Sequence, residues 1–132
     1  FNNLNSKGLL TNTIVYNLNP AMNEVFATMV GNFSSSKVSM QFGTAWWYLD
    51  QKDGMEKQIN TLSNLGVLSN FIGMLTDSRS FLSFPRHEYF RRIICNMIGQ
   101  DIKDGFLPND TAFFGKMIQN ICYFNAEKFF KF

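Results

Sequence analysis

The chain has 132 residues, of which 45% are hydrophobic and 17% are charged, and its formal net charge is +2. This length and composition are typical of one globular domain that is large enough to bury a core. The weak net charge argues against a nucleic-acid or membrane surface, and no apolar run approaches the ~20 residues that cross a bilayer.

The cysteines and the start of the sequence indicate a cellular compartment. Cys95 and Cys122 lack the spacing of a metal site, which favours buried free thiols in a reducing cytosol. No signal-peptide pattern opens the chain. We therefore expect a cytoplasmic protein.

The first part of the chain alternates strand and helix patterns. Residues 13–18 are β-branched and aromatic, which predicts a strand. Asn19 and Pro20 then supply a helix cap and a first helical residue, and apolar residues recur at helical spacing up to Gly31. Residues 38–43 alternate apolar and polar side chains, which predicts a second strand.

The next segment repeats the pattern. Asp53 and Glu56 have the spacing of a capping box, and an apolar stripe follows until Gly66. Residues 71–76 are mainly apolar and predict a third strand.

The last part of the chain is helical. Pro85 begins a helix, and either Asn109 or Asp110 caps a terminal helix that extends to about residue 130. The resulting order is βαβαβα plus one helix, with no linker or repeat. Such alternation predicts an α/β fold with a parallel sheet and right-handed crossovers.

Polar and aromatic residues follow the second and third predicted strands. Trp46 and Trp47 follow one strand, and Asp77 and Arg79 follow the other. Ligands of parallel α/β folds bind beyond the carboxyl ends of the strands. These four residues therefore predict a site for a polar ligand.

Each of these residues also has an ordinary structural explanation. Asp77 is in a position where a cap or turn residue is common, and Arg79 can pair with Asp77 or another acid. Trp46 and Trp47 can belong to the core, although neighbours at a strand end cannot both face inward. His87 lies in a charged helix start, where a solvated or capped face is expected. The residues alone name no reaction.

Two long motifs carry a specific resemblance. The double Trp followed by "YLDQKDGM" and the run "TDSRSF" lie within residues 41–99, and this stretch resembles the C-terminal part of the uronate isomerases, a family of glucuronate isomerases. The upstream "TIVYNLNPAMNEVFATMVGNF" and the downstream "ICYFNAEKFF" are also similar to that family. The resemblance covers nearly the whole chain.

The resemblance implies a fold and a reaction. It implies that residues 1–132 are a single C-terminal fragment of a (β/α)8 barrel, namely its last three βα units and a terminal helix, in the amidohydrolase superfamily. Such enzymes interconvert D-glucuronate with D-fructuronate and D-galacturonate with D-tagaturonate. The implied partner is thus a small sugar acid, and the implied cofactor of the full-length enzyme is a divalent metal, with zinc expected.

The resemblance also implies roles for the four residues of the predicted site. Asp77 would be a metal ligand that also moves a proton, and Arg79 would hold an anionic or hydroxyl group of the substrate. Trp46 and Trp47 would line the same pocket. These residue types suit a uronate, which offers a carboxylate to a guanidinium and oxygens to a hard metal.

The sequence departs from the family at several points. Leu49 occupies a position where an Asn is usual, and Pro85 replaces a small polar residue. The His-x-His pair of the family's first strand is missing, because His87 is the only histidine. The first residue is Phe1, and three strands cannot close an eight-stranded barrel.

These departures lead to two hypotheses about this chain. It is either the C-terminal portion of a sugar-acid isomerase or an α/β fragment that acts only as a structural or interaction module. We expect that the chain alone binds no catalytic metal. We also expect it to form a homo-oligomer, because its strand edges and one sheet face would otherwise stay uncovered.

Overall fold

The computed structural model describes residues 1–44 and 50–132 and has an α/β architecture. In chain order the elements are α1 (Asn2–Ser6), β1 (Thr13–Tyr16), α2 (Asn23–Phe33), β2 (Met40–Gly43), α3 (Lys52–Leu65), α4 (Pro85–Lys103), α5 (Thr111–Gln119) and α6 (Asn125–Phe130). A π-helical turn, Asn120–Phe124, joins α5 to α6, and three short 3-10 turns lie at Pro20–Met22, Leu68–Asn70 and Phe81–Ser83.

The sheet contains the first two predicted strands. β1 and β2 pair in parallel, with Thr13 opposite Met40 and Tyr16 opposite Gly43. The chain crosses between them through α2, as a parallel pair requires. The predicted strands and their parallel direction are confirmed, although both strands are shorter than the sequence pattern indicated.

The prediction of a third strand at residues 71–76 is wrong. Residues 71–79 form neither helix nor strand. The backbone of Gly73 has a φ of 71° and that of Asp77 a φ of 41°, and both values lie outside the β region. Phe71, Ile72 and Met74 are nevertheless buried. The apolar run thus reflects burial, which periodicity alone cannot separate from strand pairing.

Most of the predicted helix boundaries agree with the structure. The Asn19 side chain accepts a hydrogen bond from the Ala21 N–H at 3.1 Å, and Asp110 accepts one from the Phe113 N–H at 2.9 Å. Pro85 is the first residue of α4. The predicted capping box is wrong, because α3 begins at Lys52 and no side chain caps it.

The core lies between one face of the sheet and the helices. Phe42 of β2 is buried against Ala27 and Phe26 of α2, with the two Phe rings 5.7 Å apart. The core continues through α3, α4 and the π-helical turn, and its other main members are Met55, Ile59, Leu62, Phe71, Met74, Phe90, Ile93, Ile94, Ile98, Phe114 and Ile121.

The opposite face of the sheet is less covered. Tyr16 lies across from Gly43 and is 44% exposed. Because side chains alternate between the two faces along a strand, Ile14 lies on this face as well. In the part of the chain that the structure describes, no helix is long and apolar enough to cross a membrane.

Candidate active site at the strand ends

The two strands end at the same edge of the sheet. Since β1 and β2 are parallel and Tyr16 pairs with Gly43, the residues that follow them, Asn17 and Thr44, lie side by side. The predicted site was placed at this edge. Its geometry therefore depends on which side chains reach it.

Asp77 lies near the end of β1, although it does not follow a strand. It is exposed, and its carboxylate is close enough to Tyr16 to affect the phenol. Burial raises the pKa of Tyr16, and the charge of Asp77 raises it further. The charge of Asp77 thus acts at Tyr16, the last residue of β1. The proposed role of Asp77 stays a prediction.

Of the other three residues of the predicted site, the structure describes Arg79. It is exposed and lies two residues beyond Asp77 in the same irregular segment. Trp46 and Trp47, like Leu49, are outside the described residues, so their position in the pocket stays a prediction.

Buried polar side chains form hydrogen bonds at the ends of both strands. The Asn17 amide donates to Asn23 Oδ1 at 2.8 Å, and its oxygen accepts from the Asn19 N–H at 2.9 Å. On the next strand, Thr44 Oγ1 donates to Gln58 Oε1 at 2.9 Å. Buried polar groups need such partners. Asn17 and Thr44 are thus engaged in internal hydrogen bonds that fix the strand ends.

Gln58 extends this support into the strand itself. Its Nε2 donates to the carbonyls of Phe42 and Gly43, at 3.3 Å each. The Gln58 side chain is buried on α3. Gln58 thus connects α3 to the last two residues of β2.

An arginine joins three segments beside Asp77. Arg86 Nη1 forms an ion pair with Asp50 Oδ2 at 2.8 Å, and Arg86 Nη2 donates to the carbonyl of Thr76. Asp50 lies two residues before α3, Thr76 directly precedes Asp77, and Arg86 lies in the first turn of α4. No local sequence pattern indicates this pair, since 36 residues separate its members.

His87 does not join the site. The Arg91 guanidinium donates to His87 Nδ1 at 2.8 Å, and the ring lies in a small cleft with Gln119 and Cys122. Burial and the Arg91 charge lower the pKa of His87, while the Cys122 carbonyl has the opposite effect. The ring is half-buried and bonded to Arg91, so His87 is not fully solvated.

The neighbouring charges of α4 are a surface pair, as expected. Arg92 donates to Glu88 at 2.7 Å, one helical turn away, and both side chains are more than half exposed. Exposed pairs of this type stabilise a helix only slightly. They carry no sign of a site.

A cleft lies away from these residues. It has a volume of about 550 Å³ and is lined by residues 34–42, at the amino end of β2, together with Asn125 and Lys128. Because the charge of Asp77 acts at the carboxyl end of β1, this cleft is not part of the candidate site.

Curated relatives of this chain are uronate isomerases. The enzyme of that name from Flavobacterium johnsoniae is 64% identical over 133 aligned residues, which cover 99% of this chain and 28% of the relative. The uronate isomerase of Opitutus terrae is 56% identical, over 97% of this chain and 28% of the relative. The chain thus spans between a quarter and a third of the length of these relatives.

Solved structures give the same result. The chain is similar to the uronate isomerase of Thermotoga maritima, with a TM-score of 0.83 and 29% identity over 98% of this chain and 27% of that one. The glucuronate isomerase of Caulobacter crescentus has the same fold, with a TM-score of 0.78 and 22% identity over 92% of this chain and 24% of that one.

A family model covers almost the whole sequence. The glucuronate isomerase model matches residues 1–130, so the match includes both strands, the segment with Asp77 and Arg79, and all the helices. The chain belongs to the glucuronate isomerase family.

Proposed function

We propose that this chain supplies part of the active site of an aldose–ketose isomerase that acts on hexuronates. The reaction would convert D-glucuronate to D-fructuronate and D-galacturonate to D-tagaturonate. The observation that carries the proposal is the exposed carboxylate of Asp77, whose charge acts on Tyr16 at the carboxyl end of β1, in a chain that matches the family over residues 1–130. Because the chain spans 28% of its relatives, this activity belongs to a longer protein.

The finer description of the fold is also a proposal. Two parallel strands joined through a helix, with the helices on one face, are what a segment of a (β/α)8 barrel requires. The irregular segment 71–79 would occupy the place of a further strand. The chain would then be the C-terminal part of the barrel, with its last three βα units and a terminal helix.

Asp77 and Arg79 would act on the substrate. Isomerisation moves a proton between neighbouring carbons, which needs a base and a group that stabilises the enediolate oxygen. Asp77 is the candidate base, since its carboxylate is exposed at the strand edge. Arg79 would bind the substrate carboxylate, because a guanidinium holds a carboxylate with two parallel hydrogen bonds. Trp46 and Trp47 would cover the apolar faces of the sugar.

The residues of this chain fit a divalent metal only in part. Asp77 offers carboxylate oxygens, which divalent cations accept as ligands. Among the described residues, no group of three or more His, Cys, Asp or Glu side chains could hold an ion. A divalent ion, zinc in our proposal, would therefore take its other ligands from the rest of the full-length enzyme, and it would polarise a sugar oxygen.

The surroundings of the full-length enzyme follow from the same proposal. A small sugar acid is its partner, and we place it in the cytoplasm without nucleic acid or membrane. Several large apolar side chains are exposed, among them Phe81 and Leu82, at 86% and 91%. Such side chains favour burial against further protein, which supports a homo-oligomer.

Replacing Asp77 by asparagine in the full-length enzyme tests the proposed function. Asparagine keeps the shape of the side chain but neither accepts the proton nor binds a metal as an anion, so we expect turnover to fall by about 100-fold or more. The measurement is ketose formation from glucuronate with added zinc or manganese. Asp101→Asn, an exposed acid on α4, is the control. A fully active Asp77→Asn enzyme would contradict the site.

A further inference from the structure

We propose that Arg86 is a positioning residue that holds the backbone of Asp77 in place for the reaction. The inference rests on the proposed function for its catalytic consequence and on contacts of the described residues for its geometry. The guanidinium of Arg86 bridges Asp50 and the Thr76 carbonyl.

The backbone of Asp77 has an uncommon conformation. Its φ is 41°, a value that residues other than glycine adopt rarely. Residues 71–79 form neither helix nor strand, so no regular hydrogen-bond ladder holds this segment. A contact from outside the segment is therefore a means of holding Asp77 in this conformation.

Arg86 binds the peptide group that joins Thr76 to Asp77. The Thr76 carbonyl belongs to the same planar peptide unit as the Asp77 N–H. The φ torsion of Asp77 starts at that unit. A hydrogen bond that fixes the plane of this peptide thus fixes one end of the torsion that aims the Asp77 carboxylate.

The guanidinium of Arg86 is itself held in position. Its Nη1 pairs with Asp50, and the two side chains are 27% and 19% exposed. The planar guanidinium holds its donors in a rigid fork, so a bond at one nitrogen sets the direction of the other. Arg86 also lies in the first turn of α4, whose Phe90, Ile93 and Ile94 are buried in the core.

Asp77 and the chain that follows it are held by different contacts. The chain beyond Asp77 is held by other contacts: Ser78 Oγ donates to the Ser83 carbonyl at 3.4 Å, and Ser83 Oγ donates to the Ser80 carbonyl at 2.7 Å. Loss of Arg86 should therefore displace Asp77 more than Arg79. The expected result is a change in proton transfer with little change in substrate binding.

Kinetics of the full-length enzyme test this inference. We expect Arg86→Gln to lower kcat by about 10- to 100-fold, because small displacements of a reacting group have effects of this size, while KM changes by less than about threefold. Arg86→Lys should recover part of kcat, since a lysine keeps the charge but cannot span both acceptors. Arg92→Gln, on the exposed face of the same helix, should match the wild type. Wild-type kcat in Arg86→Gln would overturn the inference.

A second variant guards against simple misfolding. Arg86→Gln leaves the partly buried Asp50 carboxylate unpaired, which is costly in itself. The double variant Asp50→Asn, Arg86→Gln removes both charges, and we expect its kcat to be as low as that of Arg86→Gln. A double variant with wild-type kcat would show that Asp77 needs no positioning by this pair.

A crystallographic comparison makes the inference independent of the proposed function. In Arg86→Gln, but not in Arg92→Gln, we expect the Thr76–Asp77 peptide to rotate and the φ of Asp77 to leave the left-handed region. An unchanged peptide would overturn the inference even if kcat falls. If the wild type isomerises no hexuronate, the proposed function fails, and this comparison alone decides whether Arg86 positions Asp77.

Discussion

Two residues in the segment 71–79 adopt a left-handed backbone, and they do so for different reasons. Asp77, with a φ of 41°, is exposed and is held by the contacts of its neighbours. Gly73, with a φ of 71°, is buried against the backbone of the π-helical turn. Asparagine tolerates the left-handed region well. Asp77→Asn therefore changes the chemistry of this site with little change in its backbone.

Gly73 leads to a prediction about stability. A Cβ at this position would lie 2.4 Å from the Ile121 carbonyl oxygen, and the positive φ would strain any other side chain. We expect Gly73→Ala to lower the free energy of unfolding by roughly 2–5 kcal/mol, from backbone strain and overpacking together. Urea unfolding followed by circular dichroism measures the change.

Gly99 provides the matched control. It lies within α4, and no atom would be within 4 Å of an added Cβ. We expect Gly99→Ala to raise the free energy of unfolding by about 0.5–1 kcal/mol, because alanine favours the helix. Equal stabilities of the two variants would contradict the packing of residues 71–74 beneath Ile121.

Arg79 leads to a prediction about substrate binding. Lysine keeps the charge, but it replaces a planar fork by a single ammonium group that cannot form two parallel bonds to a carboxylate. We expect Arg79→Lys in the full-length enzyme to raise KM for glucuronate by about 10-fold or more, consistent with the loss of one charge-assisted hydrogen bond. Arg92→Lys, on the exposed face of α4, is the control. An unchanged KM would remove Arg79 from the substrate site.

At the scale of elements, the terminal helices dock on α4 and on the irregular segment. Asn125, the first residue of α6, donates to the carbonyls of Ser69 and Phe71 at 2.7 and 2.8 Å. Cys122, in the π-helical turn, lies in a cleft with His87 and Arg91 of α4. These contacts explain how residues 71–74 stay buried without belonging to the sheet.

The thiol of Cys122 reports on this docking through pH. Burial raises its pKa from the ordinary value of 9.0 to about 11, with Cys95 adding to the rise and Arg91 opposing it. The folded state therefore holds a proton that the unfolded state has lost between these values. The stabilisation is complete below pH 9 and is lost as the pH rises towards 11.

The difference between the wild type and Cys122→Ala isolates this effect. We expect the stability of the wild type to fall relative to the variant above about pH 9, with a slope below about 1.4 kcal/mol per pH unit, since one proton is involved and the thiol is partly exposed. Urea unfolding at several pH values measures it. Cys95→Ala, with its exposed thiol, should keep most of the slope. Parallel curves for wild type and Cys122→Ala would contradict a protected thiol.

At the scale of the whole molecule, the described residues supply only part of the candidate site. Asp77 is its acidic member, and a carboxylate without further protein ligands holds a divalent ion weakly. His87 cannot supply a second ligand at this point, because it is engaged with Arg91 on α4. The chemistry proposed for this chain therefore depends on groups that the longer relatives provide.

The 132-residue chain by itself tests this dependence. We expect it to form no ketose from glucuronate with added zinc or manganese and to bind neither metal tightly. Isothermal titration calorimetry and the ketose assay measure the two properties, with the full-length enzyme as the positive control. Clear turnover by the isolated chain would contradict the proposal that it holds only part of a site.

Much of the fold can be predicted from the sequence because its signals are local. Asn19, Pro85 and Asp110 mark helix starts through hydrogen bonds or ring geometry that involve their own neighbours in the chain. β1 has β-branched and aromatic side chains, and the segment that contains β2 alternates apolar and polar residues. The alternation of strands with helices already implies a parallel pair. The motifs around Trp46 and Asp77 likewise identify the family before any coordinates are known.

Only the tertiary structure determined the course of residues 71–79 and the support of the candidate site. An apolar run shows that a segment is buried, but whether it pairs as a strand depends on partners elsewhere, here Ile121 and Asn125. The contacts of Arg86 with Asp50 and Thr76 likewise join residues that no local pattern connects. The sequence alone determined which residue types were present and where helices begin, because these depend on neighbouring residues. The tertiary structure decided which distant groups meet, because that depends on how the whole chain packs.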